Sequence, residues 1–167
     1  MNKGLILDCP AKLNLTLEVL SKKDNGMHEI KSHFQLIDLC DEMCIEKSEV
    51  RQSSINTNAS INIENKKNLV YKAIEVISHH VKQDIFCDIT IKKNIPIGGG
   101  LGGGSSNAAA ALIGINYLYS LELDVAELMK IGLKLGADVP FFILGKNAIA
   151  SGVGEKLTEI DLSLIHI

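Results

Sequence analysis

A glycine-rich stretch at residues 96–107 constrains the fold of this chain more than any other segment. It reads Pro-Ile-Gly-Gly-Gly-Leu-Gly-Gly-Gly-Ser-Ser-Asn. The alternating pattern at residues 85–91 predicts a strand before it, and the small residues at 108–111 lead into an apolar segment that favours a helix. The stretch is therefore a connection between a strand and a helix, built mostly of glycine.

Two interpretations of this connection compete. A flexible linker is often rich in glycine. A linker is not normally flanked directly by a strand and an Ala-rich helix start, however, and glycine loses the most conformational freedom on ordering. Successive glycines can point several backbone N–H groups into one concavity, where the dipole of the following helix favours an anion. We therefore favour a phosphate-binding loop, with Ser105 or Ser106 capping the helix.

The residues alone do not decide which type of phosphate loop this is. The P-loop requires Gly-Lys-Ser/Thr, whereas here Gly104 is followed by Ser105. Gly98, Gly100 and Gly103 satisfy the dinucleotide-binding pattern, but any run of glycines would do so. The His-Arg-Asp and Asp-Phe-Gly motifs of protein kinases are absent from the sequence.

The composition argues against several classes of protein. With 167 residues, of which 46% are hydrophobic, the chain is long enough for one globular domain. The formal net charge is −3 and the basic residues are dispersed, so we expect no nucleic-acid partner. No apolar run has membrane-spanning length, and residues 1–8 lack the features of a signal peptide. We therefore expect a cytoplasmic protein that does not contact a membrane.

The cysteines and histidines show no metal-binding pattern. The four cysteines form no Cys-x-x-Cys pair and lie in or beside apolar runs, which predicts reduced, buried thiols. His79 and His80 are predicted at a solvated helix end, and His33 in a strand. No structural metal is expected.

The first half of the chain predicts strands. Residues 5–9 form a first strand that Pro10 ends, because proline lacks a backbone donor. Residues 13–20 alternate with strand periodicity, which predicts a buried leucine face with Lys12 and Asn14 opposite it. The Asp24-Asn25-Gly26 turn leads to strands at residues 30–39 and 41–47. The polar segment 50–64 fits short strands or an irregular excursion.

The second half predicts helices. They cover residues 68–81, capped by Asn68, then 108–119, and then 125–135, capped by Asp124 and ended by Gly136. Pro140 is predicted to send the chain into an extended apolar run at residues 141–144. Asp138 then stands at a junction between a helix and a strand, and another strand is expected at residues 148–151.

Three motifs, taken together, resemble the GHMP small-molecule kinases. They are Pro-Ala-Lys-Leu-Asn-Leu at residues 10–15, the loop spacing Pro-x-x-x-Gly-Leu-Gly before Ser-Ser, and Leu-Gly-Ala-Asp-Val-Pro at residues 135–140. The resemblance implies an α+β fold over residues 1–160, the ribosomal protein S5 domain 2-like N-terminal domain of that family. Such a domain has a mainly antiparallel sheet with helices packed on one side. Residues 161–167 match nothing in the family and are expected to be a tail of unclear origin, with the family's C-terminal domain absent.

The resemblance also assigns roles to residues that have ordinary explanations. Lys12 would lie by the transferred phosphate, and Asp138 would be the catalytic base. The ordinary explanations are that a lysine at the start of a strand is usually solvated and that an aspartate at such a junction usually helps to form the turn. Asn14 and His28 would bind the substrate. ATP would be bound together with Mg²⁺. The ion would be held by ATP itself, and Ser106 is the one candidate protein ligand. The ATP-binding residues implied are Asn68, Pro96, Ile97, Gly98, Gly99, Gly100, Leu101, Gly102, Gly103, Gly104, Ser105 and Ser106.

The substrate implied by the resemblance is a small alcohol. The doubled glycines around Leu101 are similar to those of the branch that phosphorylates the 2-hydroxyl of a cytidine diphosphate-linked methylerythritol, in non-mevalonate isoprenoid precursor synthesis. Gly26 and His28 match that branch, whereas Met27 stands where it has an aromatic residue. Another GHMP kinase with a different small alcohol, and an inactive truncated nucleotide-binding fragment, stay open as alternatives. The resemblance is also compatible with a homodimer.

Overall fold

The fold is a single sheet with helices packed against it. The computed structural model describes residues 4–22, 28–58, 68–152 and 154–160. Its strands are β1 (Leu5–Lys22), β2 (His28–Lys47), β3 (Ser54–Thr57), β4 (Cys87–Lys92), β5 (Ala148–Gly152) and β6 (Lys156–Glu159). Its helices are α1 (Leu69–Val81), α2 (Gly103–Tyr119), α3 (Val125–Leu133) and α4 (Val139–Leu144).

The long strand β2 organises the sheet. β1 pairs with it along its whole length, from Leu5 opposite Ile45 to Lys22 opposite His28. β4 pairs with the second half of β2 and β5 with the first half, so the sheet order is β3-β4-β2-β5-β6 with β1 also on β2. All these pairs are antiparallel except β3–β4, which is parallel. The expected mainly antiparallel sheet is confirmed.

The prediction of separate short strands in the first half is wrong. Pro10 lies inside β1, at a register shift between Pro10 and Ala11. A bulge tolerates a residue without a backbone donor, so the strand continues through the proline. The strands predicted at residues 30–39 and 41–47 are likewise one strand, β2. The predicted turn at Asp24-Asn25-Gly26 lies outside the described residues.

The leucine face predicted to be buried is exposed. Leu13, Leu15, Leu17 and Val19 are between 40% and 62% exposed, and residues 13–20 all lie at the surface of the described structure. β1 is an edge strand, and the helix that packs on it, α2, lies over its first half, where Gly114 approaches Leu7. The second half of β1 extends beyond the helices, so the alternation of apolar and polar residues does not indicate a buried face there.

The helix predictions succeed except at their ends. α1 is capped as predicted, since the Asn68 side chain accepts a 3.0 Å hydrogen bond from the Val70 amide. Asp124 caps α3 in a capping box with Glu127. α3 ends at Leu133 with Lys134 as its C-cap, however, so Gly136 does not end it.

Two predictions around the loops are wrong. Neither Ser105 nor Ser106 caps α2, because the helix begins at Gly103 and both serines lie in its first turn. The run after Pro140 is helix α4 and not a strand, since proline is tolerated in the first helical turn, where its missing N–H would be unpaired anyway.

The helices cover one face of the sheet. β4 alternates strictly between buried and exposed residues, with Cys87, Ile89 and Ile91 pointing into the core. Residues 108–111 of α2 are buried alanines, and a Cβ on Gly114 would lie 3.0 Å from Ile45 Cγ2. The small residues thus let α2 lie directly on β1 and β2. No helix in the described part of the chain is long and apolar enough to span a membrane.

Burial of two thiols makes the stability of the fold depend on pH. Desolvation, with Asp41 as the next contributor, raises the pKa of Cys9 to about 12, and desolvation likewise raises the pKa of Cys87 to about 12. Unfolding restores an ordinary thiol pKa, near 9.0. The folded state therefore binds these protons more tightly than the unfolded state, and their contribution to stability is complete below pH 9 and lost as the pH rises towards 12.

We expect the free energy of unfolding, measured by urea denaturation, to fall between pH 8 and roughly pH 11. Cys87→Ala should be less stable than the unmodified protein at pH 8. Its free energy of unfolding should fall less steeply as the pH rises, because one of the two buried thiols is gone. An equal decline in both proteins would show that other titrating groups cause the effect.

Candidate functional site

The glycine-rich loop borders a cavity at the end of the sheet. The cavity has a volume of about 380 Å³, and one side of it consists of loop residues 96–104 with Ser105 and Asn107. The rest of its wall consists of residues from β3, α1 and β4 and their flanks: Ile55, Thr57, Asn68, Leu69, Val70, Ile91 and Lys93. The loop part of the wall is therefore rich in backbone amides, and the remainder is mostly apolar.

The loop backbone is suited to an anion. Gly98, Gly100 and Gly102 have positive φ angles of 80°, 71° and 73°, so alternate residues are left-handed. Such alternation turns successive N–H groups towards one side. Gly102 is the N-cap of α2 and offers no side chain to accept hydrogen bonds from the first turn. The amides at the start of this 17-residue helix therefore face the cavity side without a cap.

The glycines of the loop divide into two groups by their surroundings. A Cβ on Gly102 would lie 2.7 Å from Phe142 Cζ, and one on Gly103 would lie 3.0 Å from Ile95 Cγ2. Close packing and the left-handed backbone therefore require glycine at position 102, whereas a side chain at position 103 would require Ile95 to move by a few tenths of an ångström. At Gly99 and Gly104 the nearest atoms would be 3.6 and 3.7 Å away, and neither residue has a positive φ. The protein itself has room for a side chain at these two cavity-lining positions.

Lys12 and Asp138 form an ion pair next to the loop. Lys12 Nζ lies 3.1 Å from Asp138 Oδ2, donates a 2.8 Å hydrogen bond to Asn14 Oδ1 and lies 3.9 Å above the Phe34 ring. The Lys12 side chain is 5% exposed, whereas that of Asp138 is 34% exposed. The ammonium is thus fixed from several sides, and the carboxylate stays accessible to a ligand.

Three elements bring these groups to the loop. Lys12 follows the register shift in β1, and its backbone N–H donates a 2.9 Å hydrogen bond to the carbonyl of Leu101. Asp138 is the N-cap residue of α4, but its side chain makes no capping hydrogen bond. Asn14 lies further along β1 and donates from Nδ2 to Ser32 Oγ at 3.1 Å. The side chain of Asp138 is therefore directed to Lys12 instead of to its own helix.

Two buried polar atoms in α2 lack partners. Ser106 and Asn107 are 2% and 3% exposed, and neither Ser106 Oγ nor Asn107 Oδ1 has a hydrogen-bond partner among the described residues. An unsatisfied buried polar atom costs about 1–3 kcal/mol, so such an atom calls for an explanation. Both lie in the first turns of the helix that starts at the loop, where a bound ligand would be in reach.

The sequence interpretation missed Asn107 and Asp41. Asn107 lines the cavity, and the available signal was a polar residue directly before a run of buried alanines. Asp41 was treated as the start of a strand, yet it is fully buried and forms an ion pair with Lys93. The available signal was the alternation of β2, which puts Asp41 on the same face of the strand as the buried Met43 and Ile45.

Most of the sequence-predicted site residues lie in one region. Asn68 and loop residues 96–105 line the cavity, and Ser106 lies directly behind them in α2. Lys12, Asn14 and Asp138 lie together beside Leu101. His28 begins β2, but its side chain, like Gly26 and Met27, lies outside what the structure describes. In the described ranges no group of three or more His, Cys, Asp or Glu side chains is placed to hold a metal ion.

Comparison with known proteins finds similarity to one family of kinases. Residues 68–146 match the family model described as the GHMP kinases N terminal domain. The chain is 43% identical over 157 residues to 4-diphosphocytidyl-2-C-methyl-D-erythritol kinase of Pseudoalteromonas atlantica, covering 94% of this chain and 54% of that protein. It is 43% identical over 153 residues to the protein of the same name from Acinetobacter baylyi, covering 92% and 55%. The chain spans about half the length of the curated relatives it matches.

Solved structures agree with the fold. A crystal structure of 4-(cytidine 5'-diphospho)-2C-methyl-D-erythritol kinase superposes with a TM-score of 0.79 at 37% identity, over 95% of this chain and 56% of that one. The Methanococcus jannaschii mevalonate kinase superposes with a TM-score of 0.68 at 17% identity, over 96% and 56%, which shows a shared fold alone. The expected fold and the expected resemblance to these kinases are both confirmed.

Two left-handed glycines of the loop, Gly100 and Gly102, should respond differently to substitution by alanine. Gly102→Ala combines a left-handed backbone with a clash against Phe142 and Lys12, whereas Gly100→Ala has the same backbone strain and open space around it. We expect Gly100→Ala to lower the free energy of unfolding by about 1–2 kcal/mol. Gly102→Ala should lower it by roughly 1–3 kcal/mol more. Urea denaturation measures both, and equal losses would contradict the role assigned to Phe142.

Proposed function

We propose, on the premise that this chain carries a GHMP kinase N-terminal domain, that it binds ATP in the loop cavity and serves phosphoryl transfer to a small alcohol. The observation that carries the proposal is the hydrogen bond from Lys12 N to Leu101 O, which holds an ion pair of suitable chemistry against an anion-binding loop. An amide-rich phosphate site and an accessible carboxylate then lie side by side, as transfer from a nucleotide to a hydroxyl requires.

The cavity suits the two chemically different parts of ATP. The apolar wall, with Ile55, Leu69 and Ile91, would contact the adenine, and Asn68 would lie beside the base. The phosphates would lie on the loop, where they receive the N–H groups of residues 98–106 and the dipole of α2. Gly99 and Gly104 support this arrangement, because a phosphate close to the backbone explains glycine at positions where the protein has room for a Cβ.

The ion pair would act on the hydroxyl and the transferred group. The substrate oxygen attacks the γ-phosphorus, the bond from that phosphorus to the bridging oxygen of ADP breaks, and the hydroxyl proton passes to the Asp138 carboxylate. Lys12 would stabilise the negative charge on the transferred oxygens and keep the carboxylate in place. Its ammonium is already fixed by Asn14 and Phe34, so little reorganisation is needed when charge develops.

Magnesium would be held mainly by ATP. Ser106 Oγ is suited to be the one protein atom that binds the ion, since it is buried and has no hydrogen-bond partner among the described residues. Bound Mg²⁺ neutralises charge on the phosphate oxygens. Asn107 Oδ1, which also has no partner in the described part of the chain, would accept a hydrogen bond from a bound water.

The substrate proposed is 4-diphosphocytidyl-2-C-methyl-D-erythritol, phosphorylated at its 2-hydroxyl. Relatives at 42% to 45% identity are named for this substrate. Asn14 lies next to Lys12 at the protein surface and would orient the substrate, with His28 contributing to cytidine recognition. We propose residues 1–160 as the nucleotide-binding domain and residues 161–167 as a separate tail.

Two further parts of the proposal concern the cell and the assembly. The protein is proposed to act in the cytoplasm, where ATP is available for the proposed reaction. A homodimer is proposed as an assembly state, and analytical ultracentrifugation of the chain measures it.

Gly104→Ala separates nucleotide binding from folding. We expect the stability to be unchanged or slightly higher, because alanine favours the first turn of α2 by up to about 1 kcal/mol. We expect ATP to bind at least about tenfold more weakly, because the methyl group occupies the phosphate position. Isothermal titration calorimetry with ATP measures the affinity. Gly136→Ala is the matched control: its Cβ also has ordinary space, 3.8 Å from Val139, and the position lies outside the cavity lining. ATP binding that withstands Gly104→Ala would overturn the placement of the phosphates.

Asp138→Asn tests the assigned base. With ATP, Mg²⁺ and the diphosphocytidyl substrate, we expect substrate-dependent ADP release to fall by about 10²-fold or more, while ATP affinity stays within about threefold. Asp124→Asn makes the same change at the N-cap of α3 and should leave turnover as it is, because asparagine caps as well as aspartate. Turnover with other small alcohols in place of this substrate would favour a different GHMP kinase activity. ATP binding without any turnover would favour a nucleotide-binding fragment.

A further inference from the structure

One buried carboxylate holds the segment that leads into the glycine loop. Asp41, on β2, is fully buried, and its Oδ1 accepts hydrogen bonds from the backbone N–H groups of Asn94, at 2.8 Å, and Ile95, at 2.9 Å. Its Oδ2 accepts a hydrogen bond from Lys93 Nζ. Donors from three consecutive residues therefore converge on a single side chain.

The residues that Asp41 holds also form the cavity and its loop. Lys93 lines the cavity, and Ile95 is followed directly by Pro96, the first cavity-lining residue of the loop. A Cβ on Gly103 would lie 3.0 Å from Ile95 Cγ2 and 3.3 Å from Lys93 Nζ, so both residues abut the first turn of α2. A shift of residues 93–95 would therefore move the start of the loop relative to the helix N-terminus.

The ionic pairing fixes more than the backbone. A buried charge is unfavourable unless it is paired and hydrogen-bonded, and Asp41 meets that requirement only while all three donors stay in place. The same pairing holds the Lys93 ammonium, whose side chain is 16% exposed, at the cavity wall. Lys93 is thereby neutralised locally and is not extended towards an anion on the loop.

We propose that Asp41 is a positioning residue of the nucleotide site, which fixes the start of the glycine loop and the Lys93 side chain before ATP binds. The inference rests on the proposed function, because it takes the cavity to be the ATP site. Asp41 does not line the cavity and is fully buried, so it acts through Lys93, Asn94 and Ile95 and not by touching the nucleotide.

The test compares ATP with adenosine in binding to Asp41→Asn. Asparagine keeps the size of the side chain and an oxygen for the two backbone amides, but its NH₂ group faces the Lys93 ammonium. We expect the Kd for ATP to rise at least about tenfold, the equivalent of one hydrogen bond to a charged group. The Kd for adenosine, followed by NMR titration, should change by less than about threefold, because the adenine wall does not depend on the loop position.

A core variant controls for lost stability. Ile115→Val alters a fully buried residue of α2 outside the cavity lining and should lower Tm without changing the Kd for ATP.

A second site variant covers the case in which Asp41→Asn does not fold. Asn94→Ala removes the 2.8 Å hydrogen bond from the exposed Asn94 Nδ2 to Cys40 O and keeps both backbone bonds to Asp41. It should weaken ATP binding by about threefold and speed hydrogen exchange in residues 94–104.

The outcomes separate this inference from the proposed function. If the unmodified chain does not bind ATP, the proposed function fails and the inference fails with it. If the unmodified chain binds ATP and the foldable variants bind it equally well, only the inference is overturned. Equal losses for ATP and adenosine would assign Asp41 a purely structural role, which overturns it as well.

Discussion

The hydrogen bond from the Lys12 amide to the Leu101 carbonyl joins the two halves of the site. Lys12 belongs to β1 and Leu101 to the glycine loop, so this single backbone contact sets the distance between the ion pair and the amides of α2. The register shift at Pro10 and Ala11 directly precedes it in β1. A bulge changes which way the following residues point, and here the Lys12 side chain points inward, onto Phe34 and Asp138.

The position of the loop depends in turn on how closely α2 lies on the sheet. Buried alanines at residues 108–111 and Gly114 leave no side chain between the helix and Ile45. The N-terminus of α2 is then held by packing along the helix, not by a cap, and its first amides stay available for a ligand. Small residues that contribute little hydrophobic area themselves thus determine where an anion can bind.

The sequence predicts local structure well where one short-range rule governs it, and less well where long-range packing decides. Asn68 and Asp124 cap their helices as expected, because capping involves residues only two or three apart. Pro10 and Pro140 misled the prediction, since a bulge and a helix start accommodate proline equally well. The loop and the Lys12–Asp138 pair were accessible through motifs. Asp41 was not, because its donors lie more than 50 residues away in the chain.

The two lysine–aspartate pairs of the site show how similar chemistry supports different roles. Asp41 is fully buried and accepts three hydrogen bonds from residues 93–95, so both of its oxygens are engaged by protein donors. Asp138 is about a third exposed, and within the described structure its one charged partner is Lys12. A carboxylate must offer a free lone pair to accept a proton from a ligand. The Asp138 carboxylate is open to a ligand, whereas that of Asp41 is fully buried with both oxygens engaged. Exposure and the number of donors, more than residue type, therefore separate a group that can react from one that holds the loop in place.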